Sequence, residues 1–227
     1  MKTIKDIRLY KSEKQNEYGI PLIHSFADKE LNAIVHRIVM KLRENGFSLG
    51  EFDHLYINFT TCDLRDEINL SDNVDKEHPW YRYCSIKVSN ELFSKLGTTN
   101  THSVIINMIS DVLITCFETE NFNKTFIHSC IQQAMEQGEN MLMKYKVKST
   151  SKRKAEIFLR YLDSCKYYPL LRVYDNENNL LFEKDLPESI VLDNIGDIQL
   201  STNKVTIKPK KNVFATNIEP ITFDFNE

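Results

Sequence analysis

Glycine and proline are scarce, six of each in 227 residues, and tryptophan occurs once. So little of either excludes collagen-like and low-complexity classes. Long apolar runs are missing too. The longest, Val104 to Phe117, is 14 residues and carries Asp111, whereas a membrane span needs about 20 apolar residues. The N-terminus, MKTIKDIRLYKSEKQNEYG, has no apolar run of signal-peptide length, so no secretory signal is expected. Cys62, Cys84, Cys116, Cys130 and Cys165 are widely spaced, odd in number and form no C-x-x-C. That pattern predicts unbridged thiols in a cytoplasmic protein. No sign of charge dominates. Lys and Arg total 29 and Asp and Glu total 32, a net charge of −3, which disfavours a general nucleic-acid coat protein. There is no G-x-G-x-x-G, no Walker phosphate loop, no G-x-S-x-G and no H-E-x-x-H. Nucleotide cofactors and the familiar hydrolases lack their usual devices here, and no cofactor is expected.

What is present is a core. Hydrophobic residues make up 41% and charged residues 27%, enough apolar material for a folded domain. Residues 4–10 predict a strand. Ser25, with Asp28 three residues on, predicts a capped helix start. Leu31, Ile34, Val35, Ile38, Val39 and Leu42 then form one apolar stripe, with Lys29, Arg37, Lys41 and Arg43 off it. Asn45-Gly46 predicts the stop. Residues 52–59 and 80–88 read as strands, with an acidic loop over 63–78 between them, and a short helix over 91–96 follows. A helix over 101–117 is apolar on nearly all sides and is expected to be sandwiched between a sheet and a second helix over 121–145. Gly138 falls inside that second helix. Residues 146–154 are basic and read as a connector. Beyond them the chain alternates like strands: 156–162, a hairpin of 170–175 with 180–186, a second hairpin around Thr202-Asn203, and a last strand over 221–225. The reading is α+β, with helices concentrated in the first two-thirds on a mainly antiparallel sheet and a hairpin-rich C-terminal part. Residues 1–150 and 151–227 are expected to form one continuous domain or two tightly packed parts.

Four constellations carry candidate chemistry. Cys62, His78 and Cys84 flank the acidic loop but make no close ligand pair, so no metal site is expected. Asp53 and His54 offer an acid and a base, but neighbours on a strand point to opposite faces. No catalytic residue is assigned. Lys144, Lys146, Lys148, Lys152, Arg153 and Lys154 hold six cations without an acid, yet no aromatic residue interleaves over 146–157. A solvated connector is favoured over a phosphate patch. The acidic loop is the most distinctive feature: Asp63, Asp66, Glu67, Asp72, Asp75 and Glu77 lead into His78-Pro79-Trp80-Tyr81. Clustered carboxylates steer a cationic partner, and aromatic anchors beside them have the composition of an interface hot spot. Those six acids with Trp80 and Tyr81 are the expected partner-binding residues. The opposing expectation places Trp80 in the core.

The segments FDHLYINFTTC (52–62) and HPWYRYCSIKVSNELF (78–93), with RVYDNENNLLFEKDLP (172–187), resemble immunity proteins of bacterial polymorphic and contact-dependent toxin systems. The resemblance implies an intracellular binding protein that neutralises a cognate toxin by occluding its active or substrate-binding surface, the toxin being basic. The competing expectation is a small hydrolase or transferase without a recognisable motif. Membrane association is not expected, and the sequence fixes no oligomeric state.

Overall fold

The computed structural model describes residues 1–16, 22–26, 28–162 and 166–225. They form a mixed α+β protein of two compact units, Met1–Gly138 and Glu139–Glu227. Residues 139–150, grouped with the helical region in the sequence reading, lie in the second unit. Cys165 lies outside the described residues.

The first unit runs β1 (Asp6–Ser12), β2 (His24–Ser25), α1 (Lys29–Glu44), β3 (His54–Thr60), β4 (Ile68–Leu70), β5 (Tyr81–Lys87), α2 (Asn90–Lys95), α3 (His102–Phe117) and α4 (Lys124–Gln137). Its sheet has the order β2-β1-β3-β5-β4. The centre is parallel: Arg8 pairs with Tyr56 and Tyr56 with Tyr83. Only the short edge strands β2 and β4 are antiparallel. The mainly antiparallel sheet expected beneath the helices is therefore corrected. Parallel neighbours need a crossover, and α1 supplies one between β1 and β3. The expected loop over 63–78 also contains a strand, β4.

Strand alternation splits this sheet into two faces. Leu55, Ile57 and Phe59 are fully buried on one, beside Ile7, Leu9, Cys84 and Ile86. That face meets the helices. Phe52 packs edge-on against Phe117 of α3 at 5.9 Å, and Cys84 of β5 neighbours Cys116 of α3. The other face carries Arg8, Tyr10 and Ser12, then Tyr56, Asn58 and Thr60, then Tyr81, Tyr83 and Ser85.

Helix α1 is capped by Asp28, whose Oδ1 accepts the Leu31 N–H at 2.9 Å. Ser25, the expected cap, instead pairs with Tyr10 in β2. The other carboxylate oxygen of Asp28 meets His102 Nε2 at 2.6 Å, tying the cap to α3. Arg37 and Lys41, expected off the apolar stripe, are buried; Lys41 lies beside Cys130 of α4, which runs against α1. Lys41 keeps its charge satisfied by Glu44 at 2.7 Å. Helix α3 buries Ile105, Ile109, Val112 and Leu113, but not its whole circumference, since Val104 is 42% exposed. Helix α4 ends at Gln137, short of the expected 145. Gly138 leaves it at φ 51°, ψ −130°, a left-handed exit that glycine makes without a Cβ clash.

The second unit is two antiparallel sheets. One has the order β6 (Met143–Ser149), β7 (Arg153–Arg160), β8 (Tyr168–Asp175), β9 (Leu180–Asp185). The other is β10 (Ile198–Leu200), β11 (Lys204–Ile207), β12 (Ile221–Asp224). Ala155, Ile157, Leu159, Leu171 and Val173 of the first sheet and Val205 and Ile207 of the second are fully or almost fully buried. Phe182 of β9 packs on Phe223 and Phe225 at 5.6 and 5.9 Å. Both expected hairpins are present. In the first, Asp175 Oδ1 accepts the Glu177 and Asn179 N–H groups, each at 2.8 Å, and Asn178 takes φ 66°. The basic connector expected over 146–154 is the β6–β7 hairpin.

Candidate functional site

The polar face of the first unit's sheet gathers four tyrosines from three strands. Tyr56 and Tyr81 stack with ring centres 4.6 Å apart. Tyr83 stands edge-on to Tyr56 at 5.4 Å and to Tyr81 at 5.5 Å. Tyr10 closes the group at 5.4 Å from Tyr56 and 5.8 Å from Tyr83, and the Arg8 guanidinium lies over Tyr56 at 5.3 Å. Offset and edge-on pairs of this kind contribute beyond their buried area. The cause is register: alternation directs these residues to one face, and the parallel order β1-β3-β5 sets them side by side.

Beside the tyrosines runs a buried hydrogen-bond chain. Asn58 Nδ2 donates to Ser12 Oγ at 3.0 Å and to Ser85 Oγ at 3.3 Å. Ser12 Oγ donates to Thr60 Oγ1 at 3.1 Å. Asn58 is fully buried, and among the described residues no donor meets its Oδ1.

The acidic loop borders a half-open cleft of about 840 Å³ on this face. Tyr81, Tyr83 and Ser85 form one wall, and Asp63, Asp72 and Asp75 contribute carboxylates beside the guanidinium of Arg65. Asp75 organises the loop. Its Oδ1 accepts the N–H groups of Glu77 and His78 at 2.9 and 3.0 Å, and its Oδ2 accepts the Tyr81 hydroxyl at 2.9 Å. The Tyr81 hydroxyl and those two N–H groups hold the Asp75 carboxyl below the usual range. Burial, then the bond to Asp75, pushes the Tyr81 phenol up to about 12. Asp63 pairs with Lys87 at 2.6 Å, which lowers its carboxyl as well.

The structure thus places the eight sequence candidates in three settings. Asp63, Asp72, Asp75 and Tyr81 line the cleft. Asp66, Glu67 and Glu77 are exposed on the loop. Trp80 is 39% exposed and meets His78 edge-on at 4.8 Å, so it is no core residue. Its carbonyl accepts the N–H groups of both Asp53 and His54 at 3.0 Å, fixing the loop's exit. Sequence reasoning missed Arg8, Tyr10, Tyr56, Asn58 and Tyr83. The signal was the alternation of polar aromatic positions in the expected strands.

The other constellations resolve differently. Asp53 and His54 do meet, with Asp53 Oδ1 2.6 Å from His54 Nδ1. The expectation that they point apart fails because β3 starts only at His54. Lys5 takes the other Asp53 oxygen at 2.6 Å. Burial raises the Asp53 carboxyl, but bonds from Lys5 and His54 outweigh it and hold the group below its ordinary value. Among the described residues, no three His, Cys, Asp or Glu side chains are placed to hold a metal ion. Cys62, Cys84, Cys116 and Cys130 are free thiols. In the basic run, Lys144 and Lys154 pair with Glu156 at 2.9 and 3.7 Å. Lys146 donates to the Gly196 carbonyl at 2.5 Å and Arg153 to the Thr202 carbonyl at 2.9 Å. These four cations serve the second unit's own fold. Among the described residues no helix is long and apolar enough to cross a membrane.

Compared with protein-family models, curated proteins and solved structures, the chain matches none of them.

Proposed function

We propose that this is a cytoplasmic binding protein whose acidic loop docks a basic protein partner, and that it acts as an immunity protein occluding the active or substrate-binding surface of a cognate toxin. The observation that carries this reading is the anchoring of the loop at Asp75. Two backbone N–H groups and the Tyr81 hydroxyl hold it, which fixes the chain at Glu77, while the Lys87 N–H donates to the Glu67 carbonyl at 3.0 Å and fixes the chain beside Asp66. A preorganised surface loses little conformational freedom on binding, and single-sign charge accelerates encounter. Within the loop, only Arg65 and Lys76 offset six acids. Half-exposed Trp80, braced by His78, supplies an aromatic anchor of the kind that dominates interfaces. Toxins acting on nucleic acid are basic to meet a polyanion, and an acidic surface competes for the same cations.

The test is affinity purification from the native host, followed by kinetics with the co-eluting protein. Reversing Asp66, Glu67 and Glu77 to Lys is expected to slow association at least about tenfold at low salt and to flatten its salt dependence. Trp80→Ala is expected to raise the dissociation rate. Unchanged kinetics in the triple reversal would remove the loop from the interface.

An enzyme reading centres on Asp53 and His54, an acid–base contact of 2.6 Å at the start of β3. Lys5 shares the Asp53 carboxylate, which suits a structural junction that closes the start of β3.

A further inference from the structure

We infer that the second unit carries a binding site for a neutral heteroaromatic small molecule with an N–H donor, the chemistry of indole, in the cleft between the β9–β10 and β11–β12 loops. The site lies apart from the acidic loop and goes beyond the docking reading above. The cleft holds about 530 Å³, within the range of about 300–1,000 Å³ that ligand sites occupy. Its apolar wall is Val191, Phe214 and Ile218. Val191 is 63% and Phe214 81% exposed, which leaves two large apolar side chains against water that a seated ligand would cover. The Phe214 ring offers a planar ligand an offset or edge-on partner. Charge does not call for an ion. The two carboxylates of the lining already have cations: Glu188 is met by Lys166, and Asp193 by Lys210 at 3.6 Å, with Asn212 Nδ2 at 3.1 Å.

The mark of a missing donor is in the lining itself. Asn194 lines the cleft. Its Nδ2 donates to the Pro187 carbonyl at 3.2 Å, which fixes the orientation of the amide. Its Oδ1 is buried, and among the described residues no donor meets it. A buried acceptor without a donor is costly, and an N–H brought in by a ligand satisfies it. Indole suits the combination, with an apolar body, one donor and no acceptor that would itself go unmet. The two loops are also held in place. The Lys210 N–H donates to the Asp193 carbonyl at 2.8 Å and the Gly196 N–H to the Lys208 carbonyl at 2.6 Å, while Asn212 Oδ1 accepts the Phe214 N–H at 3.0 Å. Leu192, buried between Val191 and Asp193 in the chain, takes φ 58°, a left-handed conformation that an L-residue adopts at a cost and that recurs at ligand clamps. A cleft organised in advance loses little conformational freedom on binding.

The experiment titrates the full chain with indole and with benzofuran, which has the same shape but an oxygen in place of the N–H. It follows the amide resonances of Val191 and Phe214. Indole is expected to give saturable shifts at both residues and to bind roughly fivefold more tightly than benzofuran. Phe214→Ala, at a position too exposed to matter to the fold, is expected to weaken both ligands at least about threefold. Asn194→Ala removes the acceptor and is expected to bring indole and benzofuran to equal affinity. That variant also loses the bond to Pro187, so its fold is checked by circular dichroism. Should it not fold, the indole preference of the native chain and the Phe214→Ala loss carry the test. Absence of saturable shifts, equal binding of indole and benzofuran by the native chain, unweakened binding in Phe214→Ala, or an indole preference that survives in a folded Asn194→Ala protein overturns the inference. The triple reversal of the acidic loop is expected to leave indole binding unchanged, so this site and the docking surface fail separately.

Discussion

The Tyr81 hydroxyl donates to Asp75 Oδ2 across 2.9 Å, and through this bond a strand of the sheet holds the loop that overhangs it. Tyr81 is itself stacked on Tyr56, so the position of Asp75 is set by β3 as well as β5. The acidic surface is thereby an extension of the sheet.

That bond has an alkaline signature. Tyr81 titrates near 12 in the folded chain against an ordinary 10. A group whose value is raised on folding contributes stability that is full below its unfolded value and lost as the pH climbs through the folded one. Stability should therefore fall between pH 10 and 12, and Tyr81→Phe should flatten part of that fall. Tyr56 and Tyr83, also raised by burial, keep the remainder. The same variant should move Asp75 back up toward the usual carboxylate range, read by an NMR pH titration. An unmoved Asp75 would mean that the phenol does not hold it.

His36 on α1 sets the acid side. Burial pushes it down to about 4 from an ordinary 6.5, with Asp6 opposing and Arg43 and Arg37 adding to the depression. Between those values the unfolded chain binds a proton that the folded chain does not, so stability falls as the pH drops from 6.5 to 4. The full loss is about 3 kcal/mol. Denaturation of His36→Gln at pH 7 and pH 4 should show a smaller difference than the native chain, and an equal difference would assign the acid sensitivity elsewhere.

Helix α3 provides a paired test of burial. Ile109 is fully buried, and Val104, five residues earlier, is 42% exposed. Ile109→Asp places an unpaired charge in the core and should cost several kcal/mol, enough to abolish cooperative folding of the first unit. Val104→Asp should stay within about 0.5 kcal/mol of the native chain. Urea melts followed by circular dichroism distinguish the two, and a cooperatively folded Ile109→Asp protein would contradict this placement of α3.

Gly196 probes the second unit. A Cβ there would lie 2.2 Å from the Pro209 carbonyl oxygen, because the Gly196 N–H reaches Lys208 O at 2.6 Å. Gly196→Ala must push these backbones apart and should cost about 1–3 kcal/mol. A urea midpoint equal to that of the native chain would show that the close approach is dispensable.

Much of the secondary structure is legible in local pattern. The 3.6-residue stripe from Leu31 to Leu42 gives α1, and the 2-residue alternation of 170–175 and 180–186 gives the β8–β9 hairpin. Where the pattern misled, a longer-range constraint decided. The stripe through Met141 and Tyr145 suits a helix until Gly138 adopts a positive φ and turns the chain into β6. Ser25 has the chemistry of a cap, but its backbone is engaged by Tyr10, which leaves Asp28 to cap α1. Within the site, the acids, Trp80 and Tyr81 stand out by composition. Tyr10, Tyr56 and Tyr83 do not, since each is ordinary within its own strand.

The sequence by itself determined the mixed α and β character, the course of most helices and hairpins, and the charge and aromatic content of the 63–81 segment, because these depend on neighbours within a few residues. Only the tertiary structure decided that β1, β3 and β5 run parallel, that four tyrosines from them share a face, and that Asp53 meets His54. It also decided that the acidic loop borders a cleft on that face. The physical reason is that pairing register joins residues some 20 to 50 positions apart, and hydrogen bonds between backbones carry no side-chain signature that one strand could display alone.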